Sequence, residues 1–267
     1  MKLYKKVIIK KIRFIFKYLR HVLSAKNSLG HGVHSPFLYA FTHNVIYEKN
    51  LFYVFSKIEN QRQKLKKDNR EIKITDFGAG NKKQAKISDL AKKSLKRKIW
   101  AQLLYRIINF SNAKNVLELG TSLGITTAYL ASVNTNIKCV SLEGSTEIAQ
   151  IARDNIDSLG ISNIKIIQGN IDETLNSALS NFENLDFVFF DANHRKEPTL
   201  KYFNKCLHLS NENSIFVFDD IYWSKEMEQA WSEIKRNENV TSTIDLFEIG
   251  IVFFNKNLPK KNYKMKR

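Results

Sequence analysis

The sequence predicts an α/β fold with a mostly parallel sheet, preceded by a helical extension and closed by an antiparallel strand pair. Three observations carry that expectation. Between Asn115 and Val133 an apolar run ends at Gly120, turns as far as Gly124 and passes into a helical pattern through Ile125, Tyr129 and Leu130. Beyond it, apolar runs alternate with amphipathic stretches, the pattern of successive βαβ units. The apolar segment from Thr243 to Phe254 is broken near Glu248 to Gly250, as a pair of strands joined by a turn would be.

Residues 1–30 read as a basic amphipathic helix. Leu3, Val7, Ile8, Ile12, Ile15, Phe16, Leu19, Val22 and Leu23 recur at helical spacing among nine basic side chains and no acid. Lys10, Lys11, Arg13 and Lys17 interrupt the segment. It therefore lacks both the run of about 20 apolar residues that spans a bilayer and the apolar core of a signal peptide. Two uses stay open: residues 1–25 lie on an anionic membrane surface, or the stripe packs on the protein itself or on a second subunit of a homodimer.

Residues 31–110 read as a helical cap or lid. The loop from Ser28 is punctuated by Gly30, Gly32 and Pro36 and leads into a helix over Pro36 to Tyr47. His31 and His34 are spaced like ligands, but with no third ligand nearby the expected role is capping or local hydrogen bonding. Residues 50–73 read as a helix and then a polar linker. Asp76 to Gly80 has a glycine spacing like a cofactor loop, yet lacks the long buried strand before it and the apolar helix start after it. It is expected to cover the cleft, ahead of a basic helix over Ile87 to Lys98 and another over Ile99 to Phe110.

Residues 111–256 form the main domain. Strands are expected at Asn115 to Leu119, Lys138 to Leu142, Lys165 to Gln168, Phe187 to Asp191 and Ser214 to Asp219. Helices fall near 123–133, 146–159, 172–180, 197–208 and 224–237, and residues 257–267 make a basic tail. Hydrophobic residues make up 43% of the 267 positions, enough for a sizeable core. Cys139 and Cys206 sit inside apolar-patterned segments, which indicates neither a disulfide framework nor a zinc cluster and makes a reducing cytoplasm the simplest location. The net charge of +17 is mostly terminal: nine basic residues in 1–30 and six in 256–267, with no acid in either, leave +2 for the rest. This argues against a nucleic-acid groove across the domain, and DNA is not expected as a partner.

At the first strand's end, Gly120 lets the backbone turn sharply and Gly124 leaves no Cβ where a ligand would approach the helix start. The free N–H groups of that first turn can seat an anion. The spacing is Gly-x-x-x-Gly with Glu118 two residues ahead, not the G-x-G-x-x-G of a dinucleotide site. Leu117 to Thr127 (Leu-Glu-Leu-Gly-Thr-Ser-Leu-Gly-Ile-Thr-Thr) resembles the first motif of class I S-adenosylmethionine-dependent methyltransferases, in particular the O-methyltransferase-like branch. The resemblance extends over about Ile99 to Asn255. It implies a Rossmann-like fold with seven strands, N-terminal helices over the active site, and a turn that holds the methionine part of S-adenosyl-L-methionine through Glu118, Gly120, Thr121, Ser122 and Gly124.

Ligands of open α/β sheets bind beyond the carboxyl ends of the strands. At the second strand's end, Glu143 can accept hydrogen bonds from both ribose hydroxyls. The resemblance sets the third turn, Gly169 and Asn170, beside the adenine; the alternative is an ordinary turn asparagine. The fourth strand ends in Asp191 and the fifth in Asp219 and Asp220, and converging carboxylates need a cation or protons. Hard oxygen ligands suit Mg²⁺. The resemblance places metal ligands at Asp191, Asp219 and Asp220, although metal-free relatives also carry such a pair, so Mg²⁺ stays open.

Catechol-type relatives place a lysine just after the first metal ligand, where this chain has Asn193-His194-Arg195-Lys196. His194 is the first candidate base, Lys196 the second, with Asp191 beside them. Tyr222 and Trp223 either wall an acceptor pocket or pack in the core. The implied activity is methyl transfer to an oxygen of a small-molecule acceptor. The rivals are an RNA methyltransferase with its basic ends as a clamp, and a non-catalytic membrane-surface or partner-binding module. Neither an Asn-Pro-Pro-Tyr-type motif nor a Pro-Cys motif supports the first, and the carboxylates Glu118, Glu143, Asp219 and Asp220 speak against the second.

Overall fold

The structure is a computed structural model that describes residues 2–76 and 81–267. Most of the glycine-rich stretch expected to cover the cleft, Phe77 to Gly80, lies outside the described residues. The chain opens with α1 (Lys2–Ser24), α2 (Pro36–Phe41, continued by a π turn to Ile46) and α3 (Tyr53–Leu65), then a hairpin of β1 (Glu71–Asp76) and β2 (Asn81–Lys86). Helices α4 (Ile87–Lys93) and α5 (Lys98–Ser111) lead into the main sheet.

Strands β3 (Asn115–Leu119), β4 (Lys138–Glu143), β5 (Ile164–Gln168), β6 (Leu185–Phe190) and β7 (Ser210–Asp219) are all parallel to one another. Between them run α6 (Ile125–Ala131), α7 (Thr146–Ser158), α8 (Ile171–Leu179) and α9 (Lys196–Leu207). After α10 (Lys225–Ile234) come β8 (Ser242–Asp245) and β9 (Ile249–Phe253), with β9 antiparallel to both β7 and β8. With the edge strand β10 (Lys261–Lys264), the sheet order is β10-β8-β9-β7-β6-β3-β4-β5, so the expected α/β architecture with its antiparallel closing pair is present.

Alternation along the strands explains why apolar residues run on consecutively in them. Val116, Phe187 and Phe189 face one core, while Leu117, Val188 and Phe190 face the other. A sheet covered on both faces takes apolar residues at consecutive positions, interrupted here by the buried pair Glu118 and Ser141. Helix α5 is buried from Trp100 to Ile108, so it is a structural layer against the sheet as well as part of the cap.

Four features differ from the sequence expectation. The sheet has eight strands, because β10 (Lys261–Lys264) in the basic tail pairs parallel with β8; Tyr263 and Met265 are buried, Lys264 between them is half-buried, and the flanking Lys261 and Lys266 are exposed. The polar linker expected up to residue 73 passes at Glu71 into the hairpin β1–β2, anchored where Lys73 N–H donates to Glu147 (2.7 Å). The basic helix ends at Lys93, which leaves Ser94 to Arg97 as a non-helical link. Finally, α1 docks through Phe14, Tyr18 and His21 against Phe247, with ring centroids 5.1, 5.2 and 5.4 Å apart. Of the apolar stripe, whose two uses the sequence leaves open, Phe16 and Leu19 face outward.

Candidate active site

The carboxyl ends of β3, β4, β6 and β7 open into one cleft of ≈ 840 Å³. The link from Ser94 to Arg97, Trp100 of α5 and Phe14 of α1 border it on the opposite side. That border is fastened to the sheet: Arg97 pairs with Glu248, and Trp100 Nε1 donates to Glu248 (2.6 Å).

Gly120 has φ +108°, and a Cβ there would stand 2.4 Å from the Asp191 carbonyl oxygen. The ends of β3 and β6 close on each other at this point, with Asp191 N–H donating to Leu119 O (2.9 Å), so only glycine fits. At Gly124 a Cβ would meet the backbone and Cβ of Ala152 at 3.1–3.2 Å, so the missing side chain lets α6 approach α7.

Glu118 and Thr121, expected at the cofactor, point into the core under the turn. The fully buried Glu118 carboxylate accepts hydrogen bonds from Thr127 and Ser141, and the Thr121 hydroxyl bonds to that of Ser141. Burial raises the Glu118 carboxyl from 4.5 to about 8, and its Oε1 has no partner among the described residues. The two residues brace the turn from below.

Ser122 and Glu143 do reach the cleft. The Glu143 carboxylate accepts the N–H groups of Ser122 and Ser145, both at 2.9 Å. Burial raises its pKa against the pull of those backbone bonds. Asn170 lines the cleft and also caps α8, accepting from Asp172 N–H (3.1 Å), while Gly169 N–H donates to Glu143 O (2.9 Å) outside the lining.

At the other end Asp191, Asp219 and His194 gather, one donor atom from each lying within 4.8 Å of the others. The third member of this set is His194 and not Asp220, which lines the cleft from a left-handed backbone position (φ 53°). His194 Nε2 lies 3.6 Å from Asp191 Oδ1. A residue the sequence reading missed completes the cluster: Lys96 Nζ pairs with Asp219 and lies 3.9 Å from Asp191. Its only sequence signal is the need for a counter-charge to three acids, and it is one lysine among many between Arg62 and Lys98.

Burial pushes Asp191 up to about 6 despite Lys96, and pushes Asp219 up to about 8 with help from Asp191. Burial opposes the Lys96 charge, but the carboxylates of Asp191, Asp219 and Asp220 outweigh it and raise its pKa. The ammonium is therefore a fixed positive charge at the site.

Other candidates fall elsewhere. Lys196 Nζ pairs with Glu233 (2.6 Å) and stays out of the cleft. Tyr222 donates to Asp245 (2.6 Å) and stacks on Phe247, so it packs in the core, whereas Trp223 lines the cleft. His31 and His34 are exposed and do not line the cleft.

Residues 117–221 match a family model described as a methyltransferase domain. The O-methyltransferase imqG of Aspergillus flavus is 30% identical over 133 residues, 48% of this chain and 53% of that protein. A catechol O-methyltransferase of Niastella koreensis is 31% identical over 123 residues, 45% of this chain and 55% of that protein. The chain thus spans about half the length of these curated relatives. In fold it is similar to the O-methyltransferase TomG of Streptomyces achromogenes, solved in complex with S-adenosylmethionine, with a TM-score of 0.59 at 16% identity over 80% of this chain and 96% of that one.

Proposed function

We propose that this chain is a class I S-adenosylmethionine-dependent methyltransferase of the O-methyltransferase type, as its similarity to that family supports, and that it transfers a methyl group from S-adenosyl-L-methionine to an oxygen of a small-molecule acceptor. The observation that carries this reading is that one cleft holds groups suited to both reactants: Glu143 and the Gly120–Ser122 turn at one end, Asp191, His194, Asp219 and Lys96 at the other.

The cofactor supplies a methyl group on a sulfonium; the chain must align the acceptor oxygen and remove its proton. Glu143, held by two N–H groups, keeps lone pairs for the ribose hydroxyls. Asn170 forms the adenine side, with Gly169 behind it holding the turn to the Glu143 carbonyl. Glu118 and Thr121 act on the turn from beneath, not on the ligand. His194, oriented by Asp191, takes the acceptor proton, and the Lys96 ammonium stabilises the oxyanion that forms. With the cofactor bound, that oxygen would take the methyl group and the sulfonium sulfur would leave as a neutral thioether.

A divalent cation does not fit this donor set while Lys96 is in place. Its ammonium contacts Asp219, reaches toward Asp191 and brings the positive charge that Mg²⁺ would bring. The reading is therefore metal-independent. It also disfavours an RNA clamp built from the basic tail, since residues 261–264 of that tail are held in the sheet as β10.

Calorimetry with S-adenosylmethionine and its demethylated product tests the cofactor half, and turnover of a panel of phenols and other hydroxylated compounds tests the acceptor half. No binding of either cofactor form by the intact protein would overturn the reading.

A further inference from the structure

We infer that α1 seats the protein on an anionic membrane surface, so that the cleft takes a lipid-soluble hydroxylated acceptor from that surface. This rests on the methyltransferase reading and names the class of its acceptor.

Helix α1 has two apolar faces. One, Phe14, Tyr18 and His21, is engaged with Phe247. The other, Ile12, Ile15, Phe16, Leu19 and Leu23, is 47–85% exposed. The spacing of these five puts them on a single stripe along the helix. A helix that needed only its intramolecular contact would carry polar residues there.

The charge identifies what covers this face. Residues 1–30 hold nine basic side chains and no acid. The second basic cluster, some 230 residues later, is brought to the same place: Asn27 N–H donates to Lys264 O, Lys264 Nζ to Ser24 Oγ (3.2 Å), and Lys266 N–H to Ser28 Oγ (3.0 Å). Lys17 pairs with Glu228, so among the described side chains Arg20, Lys26, Lys264 and Lys266 bring positive charge to this end of α1, beside the apolar stripe. Apolar residues flanked by cations match a bilayer with anionic headgroups; a nucleic-acid site would have no use for the stripe. No helix of the described residues is long and apolar enough to cross a membrane, so α1 lies on the surface.

The same helix borders the cleft. Phe14 lines it from the inner face of α1, and the half-exposed Trp223 lies on its rim. Seating α1 in the headgroup layer brings that rim to the lipid, at the depth tryptophan favours. An acceptor partitioned in the bilayer then reaches the cleft without crossing water.

The test uses the full chain and two kinds of vesicle, phosphatidylcholine alone and phosphatidylcholine with phosphatidylglycerol. Flotation should recover the wild type with the anionic vesicles, with recovery falling about tenfold or more on the neutral ones and for a Phe16→Glu, Leu19→Glu, Leu23→Glu variant. Those three side chains are exposed, and S-adenosylmethionine binding by the variant should be unchanged. Brominated lipids in the anionic vesicles should quench the fluorescence that Trp223→Phe removes. Failure of the wild type to float on either vesicle overturns the inference, as does equal flotation of the triple variant. Self-association without flotation, abolished by the triple variant, would assign the stripe to a second copy instead. Flotation without quenching at Trp223 would overturn the acceptor route. Loss of cofactor binding alone would strike the methyltransferase reading and leave the membrane contact standing.

Discussion

Lys96 Nζ pairs with Asp219 at the carboxyl end of β7 and lies 3.9 Å from Asp191 at the end of β6. A segment outside the sheet therefore supplies the counter-charge of the strand-end carboxylates. Removing it should convert the site. Lys96→Met is expected to gain Mn²⁺ binding, read by calorimetry or spin resonance, that the wild type lacks, while a chelator leaves wild-type turnover unchanged. Its stability cost should be ~1–3 kcal/mol, less than the 3–5 of an isolated buried charge, because Asp219 can take a proton instead. Micromolar Mn²⁺ binding by the wild type would show that Lys96 is displaced and the metal-free reading is wrong.

Glu143→Ala should weaken S-adenosylmethionine binding about tenfold to a hundredfold, equivalent to ~1.5–3 kcal/mol for hydrogen bonds to a charged group. Calorimetry checks this directly. Unchanged affinity would remove Glu143 from the ribose site.

The two glycines of the turn should separate packing from ligand contact. Gly120→Ala forces a Cβ against the Asp191 carbonyl and should cost ~2–4 kcal/mol with loss of cofactor binding. Gly124→Ala meets only Ala152 and should cost ~1–2 kcal/mol with affinity retained. A Gly124→Ala protein that is as stable as wild type yet blind to the cofactor would assign Gly124 the ligand role expected from sequence.

The buried Glu118 predicts a pH dependence. Its folded-state pKa, about 8, lies above the ordinary 4.5, so the folded chain binds the proton more tightly than the unfolded one. The stabilisation is complete below about 4.5 and is lost as pH rises through about 8. Glu118→Gln, which cannot ionise, should flatten this part of the stability curve in urea titrations. An unaltered slope would mean that Glu118 stays ionised in its buried place.

The legible parts of the fold were those that periodicity reports. Strands β3 to β7 and the helices between them fall within a few residues of expectation because the apolar runs of β3, β4, β6 and the second half of β7 are buried, while β5 at the sheet edge keeps an apolar run that is only half-buried. Lys261-Asn-Tyr-Lys264 offers one apolar residue in four, so β10 is set by its pairing with β8 and by the burial of Tyr263, which no local pattern reveals. In the site, residue type and strand end located Glu143, Asp191 and Asp219, but alternation along β3 turned Glu118 inward, a consequence of register. Lys96 was hidden for a third reason: its place depends on α4 stopping at Lys93, and a run of lysines does not mark which one turns inward.

The two candidate bases make opposite predictions. His194 lines the cleft with Nε2 3.6 Å from Asp191, whereas Lys196, two residues on, is at the start of α9 and tied to Glu233. A base must reach the acceptor hydroxyl, and of the two only His194 lines the cleft. His194→Asn should therefore lower kcat by about 10²- to 10⁴-fold with S-adenosylmethionine affinity unchanged. Lys196→Ala should leave kcat within about twofold and cost only a fraction of a kcal/mol, the worth of a surface ion pair. Added imidazole should restore part of the His194→Asn turnover, a response that lost packing would not give. If Lys196→Ala proves the more damaging variant, the proton leaves by another route and the Asp191–His194 pair is structural.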